Sequence, residues 1–218
     1  MSYTVKELYR TLQGEGARTG RVAVFCRFSG CNLWSGREED RATSACNFCD
    51  TDFVGTDGVG GDRFTDQAAL ISAIEAAWGL SRQHRYVVFT GGEPLLQLDS
   101  ALIEACHRQG FEIAVETNGT IAPPPGIDWL TVSPKAGSPK AATRWVLRSG
   151  DELKLVLPQP GLDACTLEDL AFAHFFVQPM AGRTKAATAA NLASAVAWCL
   201  AHPRWRLSLQ THKLIGLP

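Results

Sequence analysis

No run of this chain is apolar enough for long enough to cross a bilayer, so no membrane-spanning helix is expected. The start, MSYTVKELYRTLQGEG, lacks the basic-then-apolar pattern of a secretion signal. Charge of one sign is also missing. A net charge of −1 gives no electrostatic case for nucleic-acid or membrane binding. There is no internal repeat, no low-complexity tract and no obvious linker, so residues 1–218 are expected to form one domain. An even set of cysteines is lacking as well. Seven, with no sign of export, argue against a disulfide framework and for a reducing, cytoplasmic setting. Hydrophobic content of 45% and charged content of 20% are ordinary for a globular chain able to bury a sizeable core.

Three of the cysteines fall in one stretch, SGCNLWSGREEDRATSACNFCDTDF: Cys31, Cys46 and Cys49. Three thiolates are one fewer than a closed tetrahedral site needs, and an open position is where chemistry happens. The other four, Cys26, Cys106, Cys165 and Cys199, lie in apolar or helical runs and read as small buried hydrophobes.

Strands and helices alternate along the chain. Strand-like runs are expected at Tyr3–Tyr9, Arg21–Phe28, Tyr86–Phe89, Glu112–Val115, Trp129–Val132, Leu153–Leu157, Phe175–Val177 and Trp205–Leu209. Helices are expected over Asp66–Trp78, Gln97–Gln109 and Lys185–Ala201. Gly55–Arg63 has four glycines in nine residues and reads as a flexible connection. The helix between Trp129 and Leu153 is weak or missing, because SPKAGSPKAATRW stands there. The fold class is therefore α/β. An incomplete or distorted (β/α) barrel of about six parallel strands is favoured over a full eight-stranded one, with an open doubly wound sheet as the alternative. Polar clusters close five strand ends: TGGE at Thr90–Glu93, ETNG at Glu116–Gly119, SPK at Ser133–Lys135, QPM at Gln178–Met180 and QTH at Gln210–His212. In parallel α/β folds those C-terminal ends share a rim that carries the active site.

Together with LQGEG (Leu12–Gly16), CRFSGCNL (Cys26–Leu33) and CNFCDTDF (Cys46–Phe53), these motifs run over nearly the whole chain. The chain resembles the radical S-adenosylmethionine enzymes, and among them the 7-carboxy-7-deazaguanine synthases of queuosine and 7-deazapurine biosynthesis. One departure from the superfamily pattern stands out. Most members space the first two cluster cysteines by three residues; here fourteen, Asn32 to Ala45, intervene. The polar insertion, at about 32–45, is expected to form a surface loop or a short helical turn.

The resemblance implies a [4Fe–4S] cluster on Cys31, Cys46 and Cys49, its fourth iron chelated by S-adenosylmethionine. It implies a hard cation, Mg2+, at Thr51. Gly91, Gly92 and Glu93 would receive the methionine part of the cofactor. Glu116, Asn118, Ser133 and Lys135 would hydrogen-bond its ribose and carboxylate, with Pro134 beside them in the cofactor site. Phe48, Asp50, Gln178, Pro179, Met180 and Ala181 complete that set. Leu12, Gln13, Gly14, Glu15, Arg27, Thr90, His212 and Pro218 would bind the substrate, 6-carboxy-5,6,7,8-tetrahydropterin. Arg27 offers a fork for its carboxylate. Glu15, Arg27, Glu116 and His212 are the implied catalytic residues. The implied reaction is hydrogen abstraction, ring contraction and loss of ammonia. An external electron donor such as flavodoxin or ferredoxin, and a homodimer, are implied too. Two other readings stay open at this point. One is an activase that places a radical on a protein partner. The other is a non-catalytic zinc module whose fourth ligand is Cys26 or a distant histidine.

Overall fold

The alternating apolar residues of the second expected strand form β2 (Val22–Phe28), with Ala23, Val24, Phe25, Cys26 and Phe28 buried. It pairs antiparallel with β1 (Tyr3–Leu12), whose register shifts between Val5 and Glu7. The computed structural model describes residues 2–138 and 141–218. On the far side of β1 lies β3 (Asp62–Phe64), an edge strand at the end of the glycine-rich stretch read above as a flexible connection. Then follow β4 (Tyr86–Gly91), β5 (Glu112–Thr117), β6 (Trp129–Val132), β9 (Ser149–Leu157), β10 (Ala171–Pro179) and β11 (Trp205–Leu207). Between β6 and β9, β7 (Gly137–Ser138) and β8 (Ala141–Ala142) form a two-residue antiparallel ladder where the helix was expected to fail. Part of that stretch, residues 139 and 140, lies outside the described residues.

The main sheet runs β11-β10-β9-β6-β5-β4-β2-β1-β3. From β2 to β11 all neighbours are parallel. The parallel set is thus seven strands rather than about six, and the sheet is open: a partial barrel. Parallel strands need long crossovers, and three are helical in part. α1 (Gln67–Trp78) is capped by Asp66, which accepts from Ala69 N at 2.9 Å. It buries Leu70, Ile71, Ile74 and Trp78 beside β1 and β2. α2 (Ser100–Arg108) starts at Asp99, which caps Leu102 N and also accepts from Tyr3 OH at 2.8 Å. Each cap contributes about 1 kcal/mol, and each fully buried Ile or Leu about 1.5–3 kcal/mol. α3 (Lys185–Ala201) packs on β10 and β11 but buries only Ala195. Its alanine content, more than an apolar face, favours the helix.

The core has two parts. One spans β1, β2, β4 and β5 with α1 and α2; the other spans β9, β10 and β11 with α3. Leu130 of β6 packs against both. Cys26 and Cys106 are core residues as expected, whereas Cys165 is exposed and Cys199 half-buried. Cys165 sits in a surface 3-10 turn capped by Asp163, not in a buried run.

Candidate active site

Because seven strands run parallel, their C-terminal ends gather on one rim, and the segments that follow them enclose a cavity of about 540 Å³. β4 delivers Thr90, Gly91 and Gly92 to it; β5 delivers Glu116 and Asn118; the turn after β6 delivers Ser133 and Lys135. β10 contributes Gln178 to Ala181, and β1 and the loop after it contribute Leu12, Gln13 and Glu15. β2 sends in Arg27, the cysteine loop Cys46 and Phe48 to Asp52, and the C-terminal segment His212 and Pro218.

The Thr90–Glu93 turn is shaped by backbone contact. Gly91 has φ +141, and a Cβ there would lie 2.2 Å from the Phe28 carbonyl oxygen. On Gly92 a Cβ would meet Gly30 O at 2.1 Å and Cys31 Cβ at 2.7 Å. Both glycines therefore let the turn press against the segment that carries Cys31. Glu93 lies behind this wall, fully buried. Its carboxylate accepts from Leu95 N, Thr117 Oγ1 and Asn118 N at 2.8–3.0 Å. It braces the turn and does not line the cavity. Pro134, Gly14 and Cys31 also stand just outside the lining. Gly14 lies under His212: a Cβ would come 1.9 Å from His212 Nδ1.

Cys46 and Cys49 face each other and shift one another's thiols in opposite directions. The Cys46 hydrogen bond, against the effect of burial, pulls the Cys49 thiol down to about 6, while Cys46 is pushed up as the donor. Leu33 N donates to Cys31 Sγ at 3.4 Å. The insertion before Cys46 contains a short 3-10 helix, Glu38–Thr43. From it Arg41 donates to Cys49 O at 3.0 Å and stacks over Trp34, whose ring meets Phe53 edge-on at 5.5 Å. Lys6 fixes the next turn through Asp52 at 2.8 Å, Asp57 at 2.6 Å and Val54 O at 2.9 Å. Asp50 pairs with Lys213 at 2.8 Å.

The opposite wall is a buried charged network. Gln13 Nε2 donates to Glu116 Oε1 at 3.0 Å, and Thr90 Oγ1 to Glu116 Oε2 at 3.4 Å. Glu15 accepts from Gln210 at 2.9 Å, from Gln178 at 3.2 Å and from Lys154. Burial alone would push Glu15 up; the Lys154 ammonium, with Gln210, holds it down to about 2. Burial lowers Lys135, which donates to Ser133 O and Oγ at 2.8 and 2.7 Å. Burial also lowers His212, against the pull of Glu15. Arg27 Nε pairs with Glu7 at 2.6 Å and Nη2 donates to Tyr9 OH at 3.3 Å.

This donor set fits a cluster better than one metal ion. Cys46 and Cys49 line the cavity with Cys31 just outside it, and Cys26 is fully buried in the core. Gln210 of the QTH rim cluster lines the cavity as expected; Lys6, Glu7, Tyr9, Lys154 and Lys213 line it as well, beyond the expected site.

Fold and donor set define a radical S-adenosylmethionine enzyme. The sequence model of the radical SAM superfamily matches residues 40–157, a span that holds Cys46 and Cys49 but starts after Cys31. Proteins named 7-carboxy-7-deazaguanine synthase from Bordetella pertussis, Burkholderia multivorans and Bacteroides thetaiotaomicron are 62%, 53% and 39% identical to this chain, with full coverage of both chains in each case. The crystal structure of QueE from Escherichia coli superposes with a TM-score of 0.70 at 26% identity, covering 96% of this chain and 94% of that one. The chain belongs to the 7-carboxy-7-deazaguanine synthase family.

Proposed function

We propose that the chain converts 6-carboxy-5,6,7,8-tetrahydropterin to 7-carboxy-7-deazaguanine with loss of ammonia, as a carbon–nitrogen lyase of queuosine and 7-deazapurine biosynthesis. The observation that carries this reading is that one cavity joins the cysteine loop, the glycine turn and a wall of Glu15, Arg27, Glu116 and His212. Cys31, Cys46 and Cys49 would hold the [4Fe–4S] cluster, and Gly91, Gly92, Ser133, Lys135 and the Gln178–Ala181 segment the cofactor. When bound, cluster and S-adenosylmethionine supply one electron and a hydrogen-abstracting carbon radical.

The protein's own residues bind, orient and exclude water. Glu7 and Tyr9 set the plane of Arg27, leaving its fork to meet the substrate carboxylate. Glu15, held ionised, accepts from the N–H edge of the pterin. Gln13 and Thr90 orient Glu116. The segment from Thr211 to Pro218 closes the cavity, tied down by Thr211 N to Gly14 O at 2.9 Å and Thr11 Oγ1 to Pro218 O at 3.3 Å. Mg2+ at Thr51 belongs to the same reading: the ion takes few protein oxygens and several from water and substrate.

A cytoplasmic setting, a single catalytic domain and an electron donor such as flavodoxin or ferredoxin are parts of this proposal. Among the described residues no helix is long and apolar enough to cross a membrane. A homodimer is included as well. On α3, Leu192, Val196 and Leu200 lie exposed at four-residue spacing, and a second copy would cover them. Sedimentation of Leu200→Glu checks that face: a shift to monomer is expected, and an unchanged dimer removes α3 from the interface. The central test is anaerobic incubation of the reconstituted protein with the carboxypterin, S-adenosylmethionine, reductant and magnesium. Formation of the deazaguanine with release of ammonia is expected. Recovery of unchanged pterin beside an intact cluster overturns the reading.

A further inference from the structure

β9 is apolar on one side only. Leu153 and Leu155 point into the second core, while Lys154 and Val156 face the cavity. Lys154 is 4% exposed, which would be costly for an unpaired ammonium. Its Nζ contacts Glu15 Oε2 and lies 3.9 Å from Glu116 Oε1. Glu152, 3% exposed, stands two residues back on the same strand and accepts from Ala17 N at 2.9 Å. Glu15 follows β1 and Glu116 ends β5, so the chain brings them together only through folding. Among the described residues, Lys154 is the one side-chain cation within 4 Å of both.

We propose that Lys154 is a positioning residue for the ring contraction, clamping the Glu15 and Glu116 carboxylates side by side at the substrate end of the cavity. This rests on the reading that the cavity takes the pterin. The clamp has a directional consequence. Lys154 occupies Oε2 of Glu15, while Gln210 and Gln178 donate to Oε1. The carboxylate therefore cannot rotate, and the lone pairs left to it are the ones a ligand can meet. Glu116 is held more loosely, by Gln13 and Thr90, and its approach to Glu15 is tolerable only with the ammonium between them.

The charged groups around this point come from several elements. Glu152 shares β9, Lys135 follows β6, and His212 of α4 (Thr211–Leu214) lies near Glu15. Surrounding carboxylates hold Lys154 above its usual value in spite of burial. Without it, the carboxylates of half-buried Glu15 and Glu116 and of buried Glu152 would face one another with their shared ammonium gone. At least one would then take up a proton in the pH range of turnover. A carboxylate held low is ionised above its pKa, so a carboxyl pushed up loses its charge as pH falls through neutrality.

The test compares wild-type holoenzyme with Lys154→Met and Lys154→Ala. For the Met variant, kcat/KM should fall about 100-fold at neutral pH, with the acid limb of its pH profile moved upward by one unit or more. Its infrared spectrum should show a protonated carboxyl band at neutral pH that wild type lacks. Added ethylammonium should return the acid limb of the Ala variant toward wild type, by filling the vacated volume with a cation. Iron content and S-adenosylmethionine affinity should match wild type in both. An unmoved acid limb without the carboxyl band overturns the proposal. So does loss of iron together with activity in both variants, which would make Lys154 a folding residue. If wild type itself leaves the pterin unchanged, the cavity reading fails, while the infrared comparison still judges the clamp.

Discussion

A methyl group on Gly92 would have to displace backbone at Gly30, since the nearest atom is a carbonyl oxygen and not the free end of a side chain. Interiors are too tightly packed to absorb that without movement. Cys31 is the next residue along, so the displacement reaches a cluster ligand. Gly92→Ala should therefore lower iron content after anaerobic reconstitution by about half or more, before any effect on cofactor affinity is counted. Full iron content in that variant would show that the turn does not set the Cys31 position. The rim residues were legible because polar residues stood at the ends of apolar strands. Two of the other lining residues show why the rest was less legible. Glu7, the partner of Arg27, faces the cavity only because a register shift between Val5 and Glu7 breaks the alternation of β1. Lys154 carries a signal in the sequence: Glu152 and Lys154 alternate with Leu153 and Leu155 in β9. Period-two spacing puts both charges on one face, and a buried face with charges asks for partners.

Elements were read well where packing decides them and poorly where it does not. α1, α2 and α3 fall within a few residues of expectation, because their caps and apolar positions are local. β3 was missed because Gly58, Gly60 and Gly61 have no strand propensity; Lys6 and Leu8 backbone atoms lie against them instead. The insertion between the cysteines reads as a surface loop or a short helical turn; it forms the short 3-10 helix Glu38–Thr43, and Arg41 ties it inward to Cys49 O. Arg41→Ala removes that donor and the stack on Trp34. Air should then bleach the iron–sulfur absorbance about threefold to tenfold faster than in wild type, the loss expected for one charge-assisted bond of about 1.5 kcal/mol at a half-buried site. Equal bleaching rates would make the insertion a bystander. α4 with the four residues after it is the other case. Lone termini are mobile unless held, and here Gly14 and Thr11 hold this segment. Deleting Leu217 and Pro218 should raise the pterin KM about tenfold to a hundredfold, the equivalent of one buried charge-assisted hydrogen bond. Cluster content should not change. An unaltered KM would remove the tail from the pocket.

At the scale of the whole molecule, the cavity is lined from both halves of the core. β1 to β5 carry the cysteine loop, the glycine turn, Arg27 and Glu116; β9 to the C-terminal segment carry Lys154, Gln178 and His212. Among the described residues, only Leu130 of the short β6 packs against both. A ligand that touches both walls should then act as a further tie between the halves. Ligands that bind only the folded state stabilise it by about 2.7 kcal/mol at a hundredfold excess over Kd. For a chain of this size that is a rise in Tm of roughly 5–10 °C. Anaerobic calorimetry of the cluster-loaded protein should show one transition that moves up by this amount with S-adenosylmethionine, and again on adding the pterin. Cys46→Ala should lose most of the cofactor-induced shift, because one of the three residues that would hold the cluster is removed and the cofactor's amino and carboxylate groups would lack the iron they need. Two separate transitions, with only one moved by ligand, would mean that the halves unfold independently and that the cavity lies on one of them alone.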